Sequence, residues 1–248
     1  MEKYEVVSFI PARGGSVRIP RKNVKMLAGK PMINWTIEAS LKSKYITRTF
    51  VSTEDAEIKD IALKAGAEVI GRSEESTHDG MIAINMALNT FMEYLHQEKY
   101  CPDIFVYLYA TNPLRTAKHI DEAFELYINS KEDFLISLSP AENVDKFLRY
   151  IDDKTGLVEF FYNSSYFTPA IRRQAEFRDK RLPLNVYREN GAVYIGTYPH
   201  CFSTYAVCNL NHVLPYIINE EDAFDVNTPL DFKIAEGLLE KRLKKEGG

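Results

Sequence analysis

Short, nearly continuous apolar runs alternate along the chain with stretches in which apolar residues recur at helical spacing. YEVVSFI, Tyr4 to Ile10, is short and rich in β-branched and aromatic residues, which predicts a buried strand. PMINWTIEASLKS then places Pro31 at a first helical turn, ahead of apolar residues at helical spacing. The same reading predicts a strand over Arg48 to Thr53 and a helix over Glu54 to Lys64 ended by Gly66. A short strand over Ala67 to Gly71 follows, then a helix from Met81 to His96 and a fully buried strand from Asp103 to Tyr109. A Pro-containing turn leads to a helix over Ala117 to Asn129 and a strand over Asp133 to Ser139. Strands alternating with helices at this spacing predict an α/β fold: a mostly parallel sheet with helices on both faces.

The rhythm breaks from about Pro140 to Pro183. Aromatics, charges and short strand-like runs appear there without a helix, so an excursion from the sheet is expected, covered by a partner subunit or packed on its own chain. NGAVYIGT (Asn190 to Thr197) returns as a strand, VLPYIIN (Val213 to Asn219) is a candidate for another, and a charged amphipathic helix from Pro229 closes the chain.

The chain has 248 residues, enough for one large domain, and carries a net charge of −4. That charge supplies no basic field for nucleic acid, so a local basic loop points to a small anionic ligand. Three cysteines without CxxC spacing argue against a disulfide framework or a zinc site and suit a reducing compartment. The polar Met1 to Tyr4 and the absence of a long apolar run predict a soluble, cytoplasmic protein without a membrane span.

The local basic loop is IPARGGSVRIPRKN, Ile10 to Asn23. It joins the first strand to the first helix and carries Arg13, Arg18, Arg21 and Lys22 around Gly14, Gly15 and Ser16. Glycines let backbone N–H groups turn toward an anion, and cations at both ends suit a triphosphate spread along the loop. Neither GxxxxGK[ST] nor GxGxxG is present, so the P-loop and dinucleotide folds are unsupported. Near the other end of the chain, Asp225 and Asn227 stand at i and i+2. In extended backbone they face one side, as two oxygen donors for a hard cation such as Mg²⁺ would. Asp231 follows, within reach of the ion or of the first turn of the last helix. The five histidines have no metal-like spacing.

IPARGGSVRIPRKN strongly resembles the nucleotide-binding loop of the acylneuraminate cytidylyltransferases, the CMP-sialic acid and CMP-nonulosonate synthetases. GKPMINWTIEA, VSTEDAEI, AEVIGRSEESTHDG, YLYATNPLRT, YRENGAVYIG and FDVNTPLDF are similar to that family's segments in the same order. The match is weakest over Glu142 to Lys180. The resemblance implies a single Rossmann-like nucleotidyltransferase domain over 1–248, with about 140–183 as a protruding dimerisation and sugar-site excursion. It implies a homodimer that uses CTP, an acidic nonulosonate sugar and Mg²⁺ to make a CMP-sugar and pyrophosphate. Ala12, Arg13, Gly14, Gly15, Ser16, Lys22, Asn23 and Arg72 then correspond to nucleotide-binding positions, and Arg13, Lys22 and Asp225 to the chemistry. Asp225 is the principal Mg²⁺ ligand, with Asn227 as helper. Tyr109, Asn112, Arg115, Lys146, Arg188 and either Arg178 or Arg181, with Arg181 preferred, correspond to the sugar side. Tyr109 reads equally as strand-end packing, and Arg115 as a structural ion-pair partner.

Several positions depart from the family pattern. Val17 stands where a lysine is usual and Asn227 where an aspartate is common. Tyr109 and Asn112 replace a glutamine and a serine where the sugar sits, which implies an acid other than N-acetylneuraminic acid. A legionaminic-type, pseudaminic-type or amino-Kdo-type sugar fits that pattern. The alternative functions are a Kdo-type synthetase and a catalytically silent CTP-binding relative.

Overall fold

The computed structural model describes residues 4–72, 81–140, 149–151, 158–160, 187–197 and 213–246. The chain divides into two compact units, residues 1–139 with 189–248, and residues 140–188.

The larger unit is built on a seven-stranded sheet of order β11-β7-β10-β6-β1-β4-β5. Its strands are β1 (Val6–Pro11), β4 (Arg48–Ser52), β5 (Glu68–Ile70), β6 (Ile104–Tyr107), β7 (Phe134–Pro140), β10 (Tyr187–Gly196) and β11 (Val213–Ile217). β1 pairs in parallel with β4 and β6, β4 with β5, and β7 with β11. β10 runs antiparallel to β6. The mostly parallel expectation therefore holds, with β10 reversed against β6 inside the sheet.

Alternation along β1 sorts its residues to the two faces. Val6 and Ile10 pack on one side with Ile33 and Ile37 of α1 (Met32–Leu41), Ile58 of α2 (Ala56–Lys64), and Ile120 and Phe124 of α4 (Ala117–Ile128). Val7 and Phe9 pack on the other side against Leu88, Phe91 and Leu95 of α3 (Met81–Gln97). Phe9 and Phe91 stack with ring centroids 4.7 Å apart. Three buried polar residues of β1, α1 and β4 are paired with one another, as burial favours. Ser40 Oγ lies 2.7 Å from Ser8 Oγ and 2.8 Å from Thr49 Oγ1.

The last helix, α5 (Pro229–Glu246), lies on a third cluster with Leu27, Met32, Leu114 and Val226. It starts with a capping box. Asp231 accepts from the Thr228 amide at 2.7 Å, and its own amide donates to Thr228 Oγ1 at 3.2 Å. Of the two roles open to Asp231 in the sequence, the cap is the one its hydrogen bonds make.

A small hairpin, β2 (Met26–Leu27) with β3 (Lys30–Pro31), precedes α1 and has no counterpart among the expected elements. Ala28 and Gly29 both take positive φ at its turn, 46° and 93°, as a two-residue hairpin requires. In the smaller unit, β8 (Arg149–Ile151) pairs antiparallel with β9 (Val158–Phe160), within the strand-like runs expected of the excursion.

Candidate active site

The basic loop leaves the C-terminal end of β1, the end at which parallel sheets carry their ligands. Ala12 is buried and its amide donates to Ser52 O of β4 at 2.9 Å, so the loop departs from a fixed point. Gly14 is required sterically, because a Cβ there would overlap the Asp55 carboxylate. Its amide donates to Glu54 Oε1 at 2.7 Å. Gly15 faces open space, and the Ser16 amide returns to Gly14 O at 3.0 Å. Buried Asn23 donates through Nδ2 to Arg13 O at 2.9 Å, which joins the two ends of the loop.

The loop's cations separate into two groups. Arg21 adopts left-handed backbone, φ 57°, and its guanidinium pairs with Asp55 and Glu57 at the N-terminus of α2. It staples the loop to the start of α2 and is occupied by those acids. Lys22 turns the other way. Its Nζ donates to Val226 O at 2.7 Å and so ties the loop to the Asp225–Asn227 segment. Burial pushes the Lys22 ammonium below its ordinary value of 10.5; Asp225 opposes that shift, while Arg18 and Arg13 add to it. Arg18 and Arg13 thus lie close enough to repel Lys22, a set of cations suited to an anionic ligand.

The facing segment is held by the TNPLR turn, where the Val226 amide donates to Thr111 O at 2.9 Å. Asp225 Oδ2 accepts from Asn227 Nδ2, and Asn227 Oδ1 in turn accepts from Arg18 Nη2 at 3.0 Å. Asp225 Oδ1 is buried and has no hydrogen-bond partner. A buried carboxylate oxygen left open in this way fits a hard cation, which takes one or two carboxylates and completes its shell with phosphates and water. In this arrangement one lone pair of the Asn227 amide oxygen is taken by Arg18. Among the described residues, no group of three or more His, Cys, Asp or Glu side chains could hold a metal by itself.

Arg72 follows β5 and donates to Ala83 O of α3 at 3.3 Å. Burial lowers its guanidinium, Glu54 raises it and Arg13 lowers it further, so Arg72 joins the rim of the same cluster.

Of the residues expected on the sugar side, Tyr109, Asn112 and Arg115 gather at Asn190 to Ala192. Tyr109 is half-buried beyond the end of β6, edge-on to Tyr107 and Tyr194 at 5.1 Å and 5.8 Å. Burial raises its phenol. Asn112 is fully buried and donates to Asn190 O and Ala223 O at 3.0 Å and 3.1 Å. Arg115 is 2% exposed and donates through Nη1 to Ala192 O at 2.8 Å, with Nε and Nη2 unpartnered. Burial lowers its guanidinium, and no carboxylate among the described residues pairs with it. Asn112 and Arg115 therefore brace the sheet end from inside, and neither presents its head group to solvent. The ion pair considered for Arg115 is replaced by backbone carbonyls. Arg188 lies exposed near the start of β10, in the smaller unit. Lys146, Arg178 and Arg181 lie outside the described residues.

Two positions escaped the sequence reading. Asn190 locks β10 to β7: Ser137 Oγ donates to its Oδ1 at 2.6 Å, and its Nδ2 donates to Ser139 Oγ at 2.9 Å. Gly191 has φ 73°, and a Cβ there would stand 2.6 Å from the Tyr109 ring. Gly191→Ala is expected to lower stability by about 2–4 kcal/mol through strained backbone and overlap together. Urea denaturation measures this, and an unchanged midpoint would show that the Tyr109 ring moves aside without cost.

Residues 7–207 match the family model described as Cytidylyltransferase. The chain belongs to the cytidylyltransferase family. It is 29% identical over 238 residues to the CMP-N,N'-diacetyllegionaminic acid synthase of Legionella pneumophila, covering 95% of this chain and 96% of that protein. It is 30% identical over 190 residues to the pseudaminic acid cytidylyltransferase of Campylobacter jejuni, covering 76% and 77%. Against the N-acylneuraminate cytidylyltransferase of Escherichia coli it is 28% identical and spans about half of that protein, 54%. The cytidylyltransferase also shares its fold with a CMP:2-keto-3-deoxy-manno-octonic acid synthetase complexed with CTP. There the TM-score is 0.65 at 16% identity, covering 96% of this chain and 99% of that one. No helix among the described residues is long and apolar enough to cross a membrane.

Proposed function

We propose that this cytidylyltransferase is a CMP-nonulosonate synthetase that activates a nine-carbon α-keto acid sugar with CTP, as a Mg²⁺-dependent cytoplasmic homodimer. The observation that carries the reading is the Lys22–Val226 bond, 2.7 Å, which brings a cationic loop against a carboxylate with one buried oxygen open. The names of the Legionella and Campylobacter relatives supply the sugar class.

In this reaction the anomeric hydroxyl oxygen bonds to the α-phosphorus, the bond from that phosphorus to the bridging oxygen breaks, and pyrophosphate leaves with that electron pair. The hydroxyl proton passes to solvent. Such transfers depend on positioning and charge neutralisation. A Mg²⁺ ion held by Asp225 would supply Lewis acidity and charge at the phosphates. The chain's own residues do the rest. Arg13 and Lys22 neutralise the phosphates, Asn23 keeps the loop closed, and Arg72 frames the nucleoside side. Tyr109 borders the acid.

Incubation with CTP, Mg²⁺ and legionaminic- or pseudaminic-type acids is expected to give a product with the mass of the CMP-sugar. CTP that binds but yields no such product with any nonulosonic acid would overturn the substrate class.

A further inference from the structure

Arg18 takes no part in the ion pairs that hold the loop in place among the described residues. Its side chain is exposed, and the neighbouring Val17 is 76% exposed and apolar. One Nη2 donor reaches Asn227 Oδ1 at 3.0 Å across 209 positions of sequence. A guanidinium carries five N–H donors in a fixed fork, so most of this one remains available for ligand oxygens. Among the described residues no carboxylate forms an ion pair with it.

Asn227 is held from both ends. Its amide donates to Asp225 and its oxygen accepts from Arg18, and only one orientation of the amide satisfies both. A carboxylate at position 227 would stand directly against Asp225, and two such charges need a cation between them. The amide meets that need with its own N–H and directs its oxygen at a permanent cation instead.

We propose that Arg18 is a phosphate-binding residue that takes the place of a second divalent cation, with Asn227 as the positioning residue that yokes it to Asp225. The inference rests on the cytidylyltransferase reading above. Part of the charge that neutralises the triphosphate is then built into the chain. Arginine suits the task, because it stays charged and its fork engages phosphate through two parallel hydrogen bonds. The site needs one metal ion, on the open oxygen of Asp225, and the triphosphate has affinity for the loop before that ion arrives.

The test is calorimetric binding of CTP with EDTA present, then with Mg²⁺. Wild-type protein is expected to bind CTP without metal. Arg18→Ala is expected to weaken metal-free binding by about ten- to a hundredfold, the range for hydrogen bonds to charged groups. Arg18→Lys restores part of the loss, keeping the charge without the fork. Asn227→Ala falls between, with the arginine present but untethered. Asn227→Asp weakens metal-free binding through added negative charge and makes binding depend more steeply on Mg²⁺. Wild-type protein that binds CTP only with Mg²⁺ would overturn the proposal and leave the function standing. So would an Arg18→Ala variant that matches wild type without metal. Protein that binds CTP under neither condition would overturn both.

Discussion

Asp225→Ala is expected to lower the rate of CMP-sugar formation by about 10²–10⁴-fold, since several kcal/mol of charge stabilisation at the phosphates depends on it. Asp225 Oδ1 is the buried acid oxygen left open on the segment that faces the loop. Replacing the side chain removes the proposed metal ligand and releases Asn227 from one of its two partners. The segment itself should persist, because Val226 is held through backbone atoms to Thr111 and to Lys22. The α5 cap, made by Asp231 and Thr228, is likewise independent of Asp225. The expected variant is therefore folded, retains metal-free CTP binding, and turns over very slowly at any Mg²⁺ concentration. A folded variant with ordinary turnover would remove Asp225 from the metal site.

Lys22→Ala is expected to lower kcat/KM for CTP by about 10²–10³-fold, the range for losing one preorganised charge at a reacting group. The same substitution cuts the tie between loop and Asp225 segment, so both kcat and KM should change. The pH profile gives a further check. Burial lowers the Lys22 ammonium, and the nearby Arg18 and Arg13 lower it more. The free enzyme therefore loses this charge below pH 10.5, earlier than an ordinary lysine would. The alkaline limb of kcat/KM should fall in that range. For stability the sign is opposite. A lysine with a lowered folded pKa binds its proton less tightly when folded, so stability rises with pH between the folded value and 10.5. An alkaline limb unchanged in Lys22→Ala would assign that titration to another group.

Much of the sheet was legible because buried strands of a parallel sheet read as continuous apolar runs, and β1, β4 and β6 do so clearly. The hairpin of β2 and β3 was not legible, since two residues per strand carry no period. Arg21 and Lys22 are adjacent in sequence yet serve different masters, because left-handed backbone at Arg21 turns its side chain toward acids contributed by α2. Asn112 and Arg115 are polar residues in a turn, and sequence gives no sign that such residues are buried. The Arg18–Asn227 contact joins one arginine of the basic loop to one departure from the family pattern across almost the whole chain, which local pattern cannot anticipate.

One reaction decides the proposed function. Pyrophosphate release with CTP and Mg²⁺, measured across a panel of nonulosonic and octulosonic acids with a no-acid blank, tests it most directly. Release above the blank with a nonulosonic acid is the predicted result, and the acid that supports it names the substrate. Silence with every nonulosonic acid, while CTP still binds, would contradict it and leave a nucleotide-binding protein or an enzyme for another acid.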